Sequence, residues 1–261
     1  MVILIDNDKV LAVFFGISIF ILLSTVLHTS THIPVEVGYN GNVDWDRPIR
    51  VCPPREIYRE VSWVVNRWNK AIQYFGYRYL WLDALRYRFT VSSSENECDV
   101  SFNFIEEPPG KCIIKVDGDE WIPVAVLNFK DGKAVINIWV EALREDLRED
   151  LKRVLVHELA WALGLHIYKH AGNPGTFATD TIGMQDVTSM DVFALYIKAR
   201  GIGRLSGRTL YYYTAPPYVP VLTIEDALVR DVLSLYCSIA VAFILYKALN
   251  KMGGGDVQKA S

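Results

Sequence analysis

The pattern of apolar and polar positions divides the chain into three. Residues 10–27, VLAVFFGISIFILLSTVL, form an uninterrupted apolar run of bilayer-spanning length; residues 232–249 form a second, broken only by Lys247 near its end. Between them, Ile57, Val61, Val64, Trp68, Ile72 and Phe75 recur at helical spacing. They predict a long amphipathic helix over residues 55–75 with Gly76 as its stop. Alternating or β-rich stretches predict strands at residues 48–52, 87–91, 98–104, 121–129 and 134–140. The last two flank KDGK, whose Asp131-Gly132 pair predicts a tight hairpin. A second helix is expected over residues 145–164, with acidic residues in its first turns as the helix dipole favours. Strand, helix, four strands and helix, without internal repeats, read as an α+β fold.

The apolar runs add a membrane to this picture. The first is long for the core of a signal peptide, and the HTSTHIP that follows offers no small-x-small cleavage site, so a retained signal anchor is expected. Lys247, Lys251 and Lys259 place the tail after the second run in the cytoplasm, and two spans then put both termini there with the middle outside. The alternative for the second run is a helix packed on the domain. The expected organisation is a transmembrane anchor at 1–28, a folded domain at 29–203 and a Tyr/Pro-rich linker at 204–230. A second transmembrane helix at 231–250 and a cytoplasmic tail at 251–261 complete it. A net charge of −3 gives no electrostatic case for nucleic acid. An extracytoplasmic middle permits one disulfide among Cys52, Cys98 and Cys112; Cys98–Cys112 is expected because the two bracket one strand and its turn. Free buried thiols are the alternative.

Candidate chemistry concentrates in LKRVLVHELAWALGLHIYKH, residues 151–170, which holds His157, His166 and His170, three of the five histidines. Positions i and i+4 share a helix face, which is how H-E-x-x-H presents two imidazoles to one zinc ion with the glutamate as general base. Here His157 and Glu158 stand correctly, but the i+4 position is Trp161, whose indole offers only an N–H donor.

VLVHELAWALGLH resembles the active-site helix of the metzincin zinc metallopeptidases, and most closely the matrixin (peptidase M10-like) branch, whose motif is H-E-x-x-H-x-x-G-x-x-H. His157, Glu158 and Gly164 match; Trp161 and Ile167 stand where the second and third histidines belong. The resemblance covers about residues 48–201, and its order of first strand, long helix, further strands, edge strand and last strand before the active-site helix matches the strands and helices read above. It implies a matrixin-like domain: a twisted mixed sheet with a long helix and an active-site helix. The edge strand, here residues 121–129, would bind peptide by strand addition. Residues 187–201 would be the closing helix, capped by Thr188 with Asp191 in its first turn, and Met184 the Met-turn candidate. The leading functional expectation is a membrane-anchored metallopeptidase acting on peptides outside the cytoplasm. Zinc would be held by His157, His166 and His170, and Glu158 would be its base. The alternatives are a catalytically inactive scaffold that binds peptides or a partner protein, with Trp161 packed into the former metal site, and a purely structural surface protein.

Overall fold

The computed structural model describes residues 7–29, 36–40, 47–92, 98–108, 113–116, 120–130, 132–166, 186–200, 210–214 and 222–253. They fall into two compact units, one made of the chain ends (residues 1–31 and 225–261) and one of residues 32–224.

In the first unit, helices α1 (Asn7–Thr29) and α5 (Ile224–Gly253) are both long and apolar enough to cross a membrane. They meet antiparallel through small and hydroxylated residues. A Cβ built on Gly16 would lie 2.9 Å from that of Ala242, and the Ser24 hydroxyl donates to the Asp231 carboxylate at 2.9 Å. Ala12, Ser24, Ser234 and Ser238 are buried, while Phe14, Leu22, Tyr236 and Ile244 are exposed. The seam is therefore small and polar, and the outside is greasy. That is the arrangement hydrocarbon favours, since apolar tails give helices no hydrophobic reason to associate.

The second unit is built on a five-stranded sheet of order β3-β2-β4-β8-β7. Its first strand, β2 (Ile49–Cys52), leads through a 3-10 turn at Arg55–Ile57 into helix α2 (Tyr58–Arg78). After a second 3-10 turn at Leu82–Tyr87, β3 (Phe89–Val91) and β4 (Val100–Ile105) run parallel to β2 on either side of it. The helical stripe read from the sequence is the buried face of α2: Ile57, Val61, Val64, Trp68, Ile72 and Phe75 are at most 1 % exposed. Asn69 ties that helix to the sheet edge, donating to the Phe89 carbonyl and accepting from its N–H, both at 2.8 Å. Gly76 does not stop α2. It lies inside the helix where a Cβ would come within 2.9 Å of Leu85 Cδ2, so its role is close packing.

The stretch expected as one strand at 121–129 is two. Strand β6 (Glu120–Pro123) pairs antiparallel with β5 (Ile113–Val116), and β7 (Ala125–Lys130) begins after Val124 as the antiparallel edge of the main sheet. Proline lacks the N–H a continuous ladder needs, which suits Pro123 to the change of partner. The hairpin from β7 to β8 (Lys133–Trp139) closes as expected, with Lys130 opposite Lys133 and Gly132 at φ +73°. Strand β8 runs parallel to β4 and completes the sheet's interior.

Two short 3-10 turns (Val140–Leu143 and Glu145–Leu147) precede α3 (Arg148–Ala162), which then passes into β9 (Leu165–His166). Helix α4 (Ser189–Ala199) opens with the capping box anticipated at Thr188: Thr188 N–H donates to Asp191 Oδ2 at 2.7 Å, and Thr188 Oγ1 accepts from Asp191 N–H. A second sheet was not foreseen. Strands β1 (Glu36–Asn40) and β10 (Leu210–Thr214) pair antiparallel, and β9 pairs on the other side of β1. The tyrosine run at 211–213, expected in a linker, is thus a strand of the folded unit, which continues to Ile224.

The disulfide is also reassigned. Cys98 bonds to Cys52, with Cα atoms 5.7 Å apart, because β2 and β4 are neighbours in a register that sets Val51 opposite Val100. Cys112, the expected partner, lies outside the described residues. Beside this bridge, Asp99 accepts from both Arg47 guanidinium Nη atoms at 2.7 Å and from the Arg50 N–H at 2.8 Å. Burial pushes the Asp99 carboxyl up, but the Arg47 hydrogen bonds and the Arg50 N–H outweigh it and hold the pKa below its ordinary 3.8.

Candidate functional site

Helix α3 carries His157-Glu158 because its apolar residues face both the sheet and α2. Leu151, Val154, Leu155, Val156 and Leu159 are buried, and the Trp68 indole donates to the Val156 carbonyl at 3.0 Å. The two helices run in parallel, since Arg148 at the start of α3 donates to the Glu56 carbonyl and lies 3.5 Å from the Glu60 carboxylate near the start of α2. His157 and Glu158 are each 2 % exposed.

One turn further on, the Trp161 ring lies 6.0 Å from the His157 ring, tilted by 51°. This is the place a second imidazole would occupy in an H-E-x-x-H helix. Leu163 ends the helix, its N–H bonded to the Leu159 carbonyl, and Gly164 adopts φ +74°, a left-handed turn that glycine makes without steric cost. The Lys198 ammonium of α4 caps the end of α3 by donating to the Leu163 carbonyl at 2.5 Å. The turn sends the chain into β9, where the His166 backbone lies opposite Gly38 of β1.

A catalytic zinc takes three protein ligands and one open position. The described donors at this site are one imidazole and one carboxylate, with the Trp161 indole one turn beyond His157. No group of three His, Cys, Asp or Glu side chains able to hold a metal occurs among the described residues. The side chain of His166 and all of His170 and Met184 lie outside those residues.

Helix α3 also lies against the edge strand β7. The β7 register decides which backbone groups are available there. Trp139 N–H donates to the Val124 carbonyl at 2.9 Å, so residues 124 and 139 form a hydrogen-bonded pair. Antiparallel ladders alternate, so Val126, Asn128 and Lys130 bond to β8, while the N–H and C=O of Ala125, Leu127 and Phe129 aim away from the sheet. Among the described residues no strand pairs with that outer side. Ala125 is fully buried, so the outward groups open to an extended chain are those of Leu127 and Phe129, two donors and two acceptors. The sequence located the strand but not which residues face outward, because that parity follows from the hairpin's closing pair and from the break at Val124.

No family model, no curated protein and no solved structure matches the chain.

Proposed function

We propose that this chain is a membrane-anchored, metzincin-like domain that binds extended peptide along β7 without hydrolysing it. The observation that carries the reading is the His157–Trp161 contact: an indole fills the position from which a second ligand would come. The peptide would add as a further antiparallel strand, taking its main-chain hydrogen bonds from Leu127 and Phe129. Helices α1 and α5 would span the bilayer as a hairpin, leaving both termini on the cytoplasmic side and residues 32–224 outside. The likeness to matrixins in the HELAWALG segment and in the order of strands around it supports this reading.

The test is restoration. Trp161→His together with Ile167→His rebuilds H-E-x-x-H-x-x-G-x-x-H in the full chain. The expected result is that the double variant retains about one zinc per chain after dialysis while the parent retains none. A parent chain that retains zinc, or that cleaves peptides, refutes the proposal.

A second reading keeps the hydrolase and is favoured by the Gly164 turn, which carries the chain away from the helix axis just before His166. His157, His166 and His170 would then be the metal ligands and Glu158 the base, and Glu158→Gln would abolish peptide cleavage while leaving the fold intact.

A further inference from the structure

The main sheet has a step at the carboxyl ends of its parallel strands. Pairing between β2 and β4 ends with Cys52 opposite Ser101, while β4 runs on to Ile105. Pro53 and Pro54 are the reason: neither has the N–H that a ladder needs, and they lead the chain into the 3-10 turn before α2. The connections that leave these two strands also diverge. That after β2 passes through α2 to β3 on one side, and that after β4 reaches β8 on the other. Between parallel strands such a divergence leaves a crevice beyond the strand ends, where ligands bind.

Here the crevice is a cavity of about 770 Å³. That lies within the span of small-molecule sites, roughly 300–1,000 Å³. The Cys52–Cys98 disulfide lines it and locks the two strands that form it. Strand β8 separates β4 from the edge strand β7, so the cavity is distinct from the edge where an extended chain would pair.

The lining divides into apolar and polar groups. Pro53, Pro54 and Phe102 supply apolar surface, and Tyr58, 55 % exposed, adds a ring. Arg55 is the one charged residue of the described lining. Its guanidinium has no hydrogen-bond or ion-pair partner among the described residues, in a unit where Arg47, Arg67 and Arg148 each hold a carboxylate. The hydroxyls of Tyr58 and Ser101 are likewise uncommitted among those residues, and Asn103 uses only its amide N–H, on Asn137 at 3.4 Å.

A guanidinium fork matches the plane of a carboxylate and holds it with two parallel N–H donors. One fixed positive charge balances one carboxylate, whereas a phosphate monoester, carrying about −1.5 to −2, would be left partly uncompensated. Prolines and rings beside that charge suit an apolar group next to the carboxylate. We propose that this cavity binds a carboxylate-bearing ligand with an apolar group at its side. The carboxylate sits on Arg55, the apolar group against Pro53, Pro54 and Phe102, and an adjoining amide on Ser101 and Asn103. A free organic acid and the C-terminus of a peptide share that chemistry. Binding there requires neither a metal nor strand addition along β7.

The experiment is a fluorine NMR titration of N-acetyl-4-fluorophenylalanine with the full chain in neutral detergent, with empty micelles subtracted. The acid is expected to broaden saturably, and its carboxamide to bind about tenfold more weakly. Arg55→Gln, at an exposed position, should weaken binding of the acid about tenfold and leave Tm unchanged. The peptide Gly-Gly-Ser-Gly-Ala-Phe with a free C-terminus, added as a competitor, separates the sources. Tighter binding than the small acid supports a chain terminus as the ligand, and weaker binding supports a free acid. Equal binding of acid and carboxamide, or an acid affinity unchanged in Arg55→Gln, overturns the proposal. So does the absence of saturable binding by acid and peptide alike. Tighter binding of 4-fluorophenyl phosphate than of the acid overturns the carboxylate assignment. Binding that emerges only in Glu95→Gln with Glu97→Gln would mean that the chain's own carboxylates hold Arg55, and overturns it as well.

Discussion

Two proline substitutions, one residue apart, test the edge-strand reading. Leu127→Pro removes an N–H that points away from the sheet; Asn128→Pro removes one that bonds to β8. A peptide added along β7 takes up to four main-chain hydrogen bonds from Leu127 and Phe129, each worth about 1 kcal/mol net. Losing one of these two donors, and meeting a proline ring where the peptide carbonyl would approach, should cost about 1.4–2.8 kcal/mol, or 10- to 100-fold in affinity. The fold should lose only about 1 kcal/mol, since the β7–β8 ladder does not use that group. Leu127→Ala subtracts the contribution of the half-buried side chain. Asn128→Pro breaks the ladder and should cost on the order of 3 kcal/mol, lowering Tm by roughly 6–12 °C for a unit of this size. The assay is fluorescence anisotropy of the best binder from a random decapeptide display library on the full chain in detergent, alongside thermal unfolding. Unchanged affinity in Leu127→Pro, or loss of affinity in Asn128→Pro at unchanged Tm, would refute the register and with it the binding mode.

Other parts of the structure make separate commitments. Asp99→Asn should destabilise residues 32–224 by about 2–3 kcal/mol, the low end for a buried charge because Arg47 is 45 % exposed. Because the folded Asp99 pKa is depressed, its contribution is complete above the ordinary 3.8 and fades as pH falls below it. Denaturation curves from pH 6 down to pH 3, about the range this linkage spans, should therefore show a steeper loss in the parent than in the variant. Cys52→Ser should cost about 4 kcal/mol from the closed loop of 46 residues; a denaturation midpoint indifferent to dithiothreitol in the parent would contradict the pairing. Gly16→Leu should part α1 from α5, since even a Cβ meets Ala242 at 2.9 Å. Disulfide trapping between cysteines placed at Ser24 and Asp231 would then fail in that variant and succeed without it.

Much of this fold is legible in the sequence wherever a period was long or a turn signal sharp. The α2 stripe, the Asp131-Gly132 hairpin and the Thr188 cap each carry local chemistry that tertiary context had no reason to override. What could not be read depends on partners distant in the chain. Cys98 joins Cys52 because two parallel strands meet after a helical crossover, and no local spacing encodes that. The tyrosines at 211–213 form a strand because residues 36–40 are there to pair with them. Gly76 has the character of a helix stop, but the approach of Leu85 gives it a packing role instead. At the candidate site, the sequence alone sets Trp161 one helical turn after His157. Its contact with the His157 ring and the burial of His157 and Glu158 required the three-dimensional arrangement.

The most direct test of the central claim is the zinc content of the purified full chain, by elemental analysis after exhaustive dialysis. A folded protein with no stoichiometric zinc is the predicted result, with Trp161 standing where a ligand would be. One zinc per chain, lost in His157→Ala, would contradict it and favour a ligand set rebuilt around His166 and His170.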